Sequence, residues 1–251
     1  MSFSLEGRTA VVTGASRGIG RAIAAALAEA GADIVGVAST PVSAEAARTD
    51  VERHGASYRA LGADLGDRDE VYRLAREIRE LVGVPDVLVL AAGINRRSPA
   101  ADFPDDAWDE VLATNLTAPF QLAREVGREM VERGSGRIIF LASLLSFQGG
   151  LTVPAYAASK GGVASLVKAL ANEWASRGVG VNAIAPGYVA TDMNTALIAD
   201  PVRQRQLLER IPAGHWASPE DIAGAAVFLV SPAASYIHGV VLPVDGGWLG
   251  R

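Results

Sequence analysis

This chain alternates short apolar runs with longer helical ones from one end to the other. Thr9–Thr13, Asp33–Ala38, Tyr58–Ala63, Asp86–Ala91, Arg137–Ala142, Gly180–Ala185 and Val240–Val244 read as strands. Arg21–Ala30, Ser43–His54, Arg68–Leu81, Trp108–Val131, Tyr156–Ser176 and Pro219–Val230 read as the helices between and after them. Arg68–Leu81 carries Val71, Leu74, Ala75, Ile78 and Leu81 at the spacing of one helical face. Ser218 with Pro219 behind it has the residue types of an N-cap and first helical position. Strands that are apolar throughout have both faces covered, which helices achieve on a parallel sheet. Right-handed crossovers then predict an α/β fold, a doubly wound seven-stranded parallel sheet with helices on both faces. In such sheets ligands bind beyond the carboxyl ends of the strands, where the strand order reverses.

No linker or charge block divides the 251 residues, so one domain over 1–251 is expected, with a small lid at about residues 191–216. The net charge is -5 and no basic stripe is present, which argues against nucleic acid and anionic membrane as partners. The sequence contains no cysteine, excluding thiolate and disulfide chemistry. Apolar stretches such as Val84–Ala92 fall well below the ~20 residues that span a bilayer, and Met1–Gly7 has no apolar leader core. A cytoplasmic protein is expected. His54 and His238 lack the partner spacing of metal ligands, so no metal is expected.

Chemistry-bearing residues follow the strands. After the first comes Thr13-Gly14-Ala15-Ser16-Arg17-Gly18-Ile19-Gly20 and then a helix. Glycines there let backbone approach a pyrophosphate, and the helix N-terminus supplies N–H donors and partial positive charge. Asp64-Leu65 after the third strand could meet an adenine, and Ala91-Ala92-Gly93 after the fourth could pass beneath a ribose. The second strand ends in Ala38-Ser39-Thr40, with no acid to hold a ribose 2'-hydroxyl and repel a 2'-phosphate. Arg17, Ser39 and Thr40 could instead bind that phosphate, which favours NADP over NAD.

Tyr156 and Lys160 lie one helical turn apart and share a face. A free phenol is a poor base near neutrality, and an adjacent ammonium should lower its pKa. Ser143, after the fifth strand, could donate to a substrate carbonyl, and Asn115 could order a water joining Lys160 to solvent. These residues occur in one order on one alternating pattern, and on them the chain resembles the short-chain dehydrogenase/reductases over essentially its whole length. The resemblance implies a Rossmann-type fold and an NAD(P)-dependent oxidoreductase acting on an alcohol or ketone. It implies a catalytic tetrad of Asn115, Ser143, Tyr156 and Lys160, and nicotinamide-side contacts from Pro186, Gly187, Val189 and Thr191. It also implies a homotetramer built through the two long helices, the last strand and its tail. The fourth-strand turn departs from the family pattern, with Leu90-Ala91-Ala92-Gly93 where an Asn usually precedes Ala-Gly.

Narrower strings, among them Ile94-Asn95-Arg96-Arg97, Ser143–Gly150 and Val244-Asp245-Gly246-Gly247-Trp248, resemble those of gluconate-type sugar-acid dehydrogenases, whose usual cofactor is NAD. That resemblance keeps NAD open and implies a small-molecule sugar-acid substrate. Arg96 or Arg97 could clamp its carboxylate, with Ser146 and Gln148 on its hydroxyls. An NADPH-dependent 3-oxoacyl carrier-protein reductase is the alternative, with Arg124, Arg128 and Arg133 as a docking patch. Glu125, Glu129 and Glu132 interleave with that patch. A non-catalytic dinucleotide sensor would not need all four tetrad residues.

Overall fold

The apolar runs pair side by side, as their double-sided burial requires. In the computed structural model, which describes residues 3–251, the strands are β1 (Thr9–Thr13), β2 (Asp33–Ala38), β3 (Tyr58–Gly62), β4 (Val87–Leu90), β5 (Gly136–Leu141), β6 (Val179–Pro186) and β7 (Val241–Val244). Met1 and Ser2, the start of the stretch read above for a leader, lie outside the described residues. The sheet is parallel throughout, in the order β3-β2-β1-β4-β5-β6-β7. The order reverses between β1 and β4, opening a crevice at their carboxyl ends.

The helices are α1 (Gly18–Glu29), α2 (Pro41–Ala44), α3 (Arg48–Glu52), α4 (Arg68–Val82), α5 (Asp105–Leu112), α6 (Ala118–Arg133), α7 (Pro154–Trp174), α8 (Thr195–Ile198), α9 (Pro201–Arg210) and α10 (Pro219–Val230). Strand pleat divides the core in two. Val11, Leu88, Leu90, Ile138 and Phe140 face α4, α6 and α7, where Leu74, Leu122 and Val167 meet them. Ala10, Val12, Val89 and Ile139 face α1 and α10. Fully burying a side chain such as Phe140 or Ile139 stabilises the fold by about 1.5–3 kcal/mol.

Three helical expectations change. The first helix begins at Gly18 rather than Arg21, so the glycine-rich loop runs directly into its first turn. Ser43–His54 is broken: Thr40 caps α2 through a reciprocal pair of bonds with Ser43, and a 3-10 turn at Glu45–Ala47 separates α2 from α3. Trp108–Val131 is interrupted by a π-helical turn over Ala113–Thr117, between α5 and α6. No described helix is long and apolar enough to cross a membrane.

Candidate active site

The glycine-rich turn lies at the sheet's switch point. Gly14 has φ +71°, and a Cβ there would come within 2.9 Å of the Ala92 backbone. A Cβ on Gly20 would collide with the Gly14 carbonyl oxygen. Side chains are thus excluded where backbone must approach a ligand. Arg17, the N-cap of α1, makes no side-chain cap bond, whereas Asp67, Asp200 and Ser218 cap α4, α9 and α10 with theirs. The first turn of α1 is therefore suited to receive an anion. Ser16 and Ile19 flank this turn half-buried. Gly18 faces the Thr191 side chain, so the loops after β1 and β6 meet across the crevice.

Asp64 is exposed and accepts from Gly66 N at 2.8 Å, with Leu65 packed on the core beside it. Ala91, Ala92 and Gly93 line the β4 end of the crevice. Thr13 Oγ1 accepts from Ala92 N at 3.1 Å, bracing the turn that lacks the family's usual asparagine. Ser39 is exposed, and Thr40 spends its hydroxyl on Ser43 as a cap. Arg17 is exposed, its nearest carboxylate Asp192 at 3.7 Å. Gly187 donates to Val244 O at 2.9 Å, tying the segment after Pro186 to β7, and Val189 pairs with Ala217. The glycine turn, the uncapped helix start and the acid-free β2 end together fit a dinucleotide phosphate.

Ser143, Tyr156, Lys160 and Asn115 come together on this rim. The π-helical turn carries Asn115, 1% exposed, which accepts from Ile94 N and donates to Ile94 O, each at 2.8 Å. Its Nδ2 also donates to Ser159 Oγ at 3.3 Å, and that hydroxyl donates to Tyr156 O. Asn115 thereby joins the loop after β4 to the first turns of α7. Lys160 is buried and donates to Leu141 O at 2.6 Å, with Nζ 5.6 Å from the Tyr156 ring centre. Burial lowers its pKa to about 8. The expected lowering of the Tyr156 phenol does not appear. Burial pushes it up, opposed only by the Ser143 hydroxyl, because a neutral phenol is cheaper to hide from water than a phenolate.

Tyr156 and Ser143 open into a cavity of about 670 Å³ between the loop after β5, the loop after β6 and α9. Arg97 lines it, but Arg96 does not: Glu110 takes the Arg96 guanidinium in two bonds of 2.9 and 2.7 Å. Ser146 is occupied too, donating to Lys160 O at 2.6 Å and accepting from Ser143 N, so it positions the site instead of meeting a sugar. Gln148 lines the cavity and accepts from Trp248 Nε1 at 3.3 Å. His215 is exposed and bonds the Trp216 carbonyl. Trp248, in the tail through which the family resemblance implies subunit contact, packs within its own chain. It is 3% exposed among Leu144, Leu207 and Ile211, which share its apolar cluster. Sequence reading gave no separate role to Thr13 or Ser159, and placed Arg203 and Arg210 in the lid without a role for their charge. Ser159 stands inside the Tyr–Lys turn and could have been flagged there. The arginines of α9 looked like an ordinary polar helix face.

Comparison with known proteins agrees with this geometry. A family model described as enoyl-(acyl carrier protein) reductase matches residues 14–249. A 2-dehydro-3-deoxy-D-gluconate 5-dehydrogenase of Pseudoalteromonas atlantica is 53% identical, over 99% of this chain and 98% of its own. A Beutenbergia cavernae protein crystallised with NADP at low occupancy is 52% identical with a TM-score of 0.96, over the whole of both chains. The gluconate 5-dehydrogenase of Burkholderia cenocepacia, solved with NADP and tartrate, is 38% identical with a TM-score of 0.94, over 100% of this chain and 98% of its own. A match of this extent, on a fold with this strand order, makes the chain an oxidoreductase of the short-chain dehydrogenase/reductase family.

Proposed function

We propose that this enzyme interconverts a secondary alcohol and a ketone of a gluconate-type sugar acid, with NADP as its preferred cofactor. The carrying observation is that Tyr156 and Ser143 face one cavity that no Asp or Glu lines, beside a glycine-rich turn at the switch point. Relatives described as gluconate and 2-dehydro-3-deoxy-D-gluconate 5-dehydrogenases, and solved structures that hold NADP, support the same reading. The acid-free end of β2 and the exposed Arg17 favour a 2'-phosphate.

When bound, the nicotinamide supplies or accepts the hydride. The chain's own residues handle the oxygen and its proton. Ser143 Oγ donates to the substrate carbonyl oxygen, and Tyr156 Oη delivers the proton to it in reduction or removes it in oxidation. Lys160 supplies a compact positive charge that favours the phenolate as it forms. Asn115 and Ser159 fix the turn from which Tyr156 projects. Ser146 holds Ser143 and the Lys160 backbone in register.

The acyl-reductase reading needs a free basic docking patch. Arg124 and Arg128 both lie against Glu125, and Arg133 donates to Val84 O and Pro85 O. These contacts leave that patch largely engaged. We take residues 191–216 as the lid; the lining of the cavity by Met193, Leu197, Arg203 and Arg210 supports that reading. The homotetramer, and a cytoplasmic setting where the dinucleotide pool lies, belong to the same reading.

Tyr156→Phe tests the proton step. It should keep dinucleotide affinity within about twofold and lose about 10²–10⁴-fold in kcat, the range general acid–base catalysis supplies. Near wild-type turnover would remove Tyr156 from the mechanism.

A further inference from the structure

The cavity's charge is one-sided. Three of its lining residues are cations, Arg97 on the loop after β4 and Arg203 and Arg210 on α9, and none is an Asp or Glu. Among the described residues no carboxylate lies within 4.0 Å of these three guanidinium groups. Arg203 donates to the neutral Gln206 at 2.9 Å, and Arg210 lies over the Trp248 ring at 4.0 Å. All three sit close enough to Tyr188 to act on its phenol, each lowering a pKa that burial raises. Arg96, one residue from Arg97, shows the contrast: Glu110 neutralises it outside the cavity. Uncompensated like charges gathered round a hollow repel one another, and an anion between them relieves that repulsion.

We propose that Arg97, Arg203 and Arg210 form a single anion subsite beside Tyr188 that takes the substrate's carboxylate. The inference rests on the sugar-acid reading and extends it. Arg97 stands on the loop after β4, whereas Arg203 and Arg210 ride on α9, so the substrate's charge draws the lid helix onto the site. Trp248 holds Arg210 by its ring face and Gln148 by its Nε1, setting a hydroxyl-binding amide next to the anion subsite. The carboxylate then sits at the α9 end of the cavity, and the reacting carbon lies towards Tyr156.

The test is kinetic and calorimetric. Steady-state rates are measured with D-gluconate and with uncharged D-gluconamide for wild type, Arg203→Gln, Arg210→Gln, the double variant and Arg96→Gln. Calorimetry follows gluconate binding to the NADP-loaded proteins. Each cavity arginine should be worth about ten- to a hundredfold in KM for gluconate, as a charge-assisted bond is. kcat should move less, gluconamide kinetics should hold, and Arg96→Gln should match wild type. Equal losses on gluconate and gluconamide would show a merely structural role and overturn the subsite, leaving the sugar-acid reading intact. Arginine-dependent gluconate binding, with no turnover by wild type of gluconate, 2-deoxy-D-gluconate or a 3-deoxy-diketo sugar acid, would keep the subsite and overturn that reading. Neither binding nor turnover of any of these three sugar acids would overturn both.

Discussion

The choice of basic residue is informative at the active site. The chain has 23 Lys and Arg, and only two are lysine, Lys160 and Lys168. A guanidinium at position 160 could not lose its proton, whereas the Lys160 ammonium, buried, has its pKa lowered from 10.5 to about 8. Between those values the folded chain binds fewer protons than the unfolded one, so stability rises with pH across that window. Below about pH 8 the cost of burying the charge is present in full, on the order of 3 kcal/mol. Lys160→Met removes it, though it strands the Leu141 carbonyl that Lys160 serves. Its unfolding free energy, measured against wild type from pH 7 to 10, should compare best up to about pH 8 and lose ground above it. A difference that stays flat over that range would contradict the assignment. The Tyr156–Lys160 pairing was legible because four residues make a helical turn. The direction of the phenol's shift was not, because it depends on burial that spacing does not encode. Arg96 and Arg97 look alike in sequence, and only the fold turns one to Glu110 and the other to the cavity.

Elements were legible where one periodicity governed them. The strands sit within a residue or two of expectation because double-sided burial leaves continuous apolar runs. The π-helical turn was hidden, since one widened turn barely disturbs a helical pattern. Yet that turn carries Asn115 and points it at Ile94 and Ser159. The bracing of the β4 turn moved to another element, from the expected asparagine to Thr13 at the end of β1. The same scale governs assembly. Phe120 on α6 remains 36% exposed, and the outward Ala158, Ser165 and Ala169 of α7 are small enough to let a second helix pair approach. Sedimentation should give a mass of four protomers for wild type and smaller species for Phe120→Asp. A monomeric wild type would overturn the tetramer.

At the scale of the whole molecule, topology gathers the site. The loops after β1, β4, β5 and β6 all lie at the carboxyl end of the sheet, and α9 lines the cavity together with the last three. The protein as a whole is acidic, at -5, while the cavity is cationic, so its field would concentrate anions at the one place where Tyr156 can act. Trp248 joins the last strand's end to this arrangement, sharing an apolar cluster with Leu144, Leu207 and Ile211. The most direct test is the initial rate of nicotinamide absorbance change with D-gluconate, 2-deoxy-D-gluconate, a 3-deoxy-diketo sugar acid and an acetoacetyl thioester, each with NAD and with NADP. Turnover of a sugar acid, faster with the phosphorylated cofactor, is the predicted result; turnover of the thioester alone would contradict it.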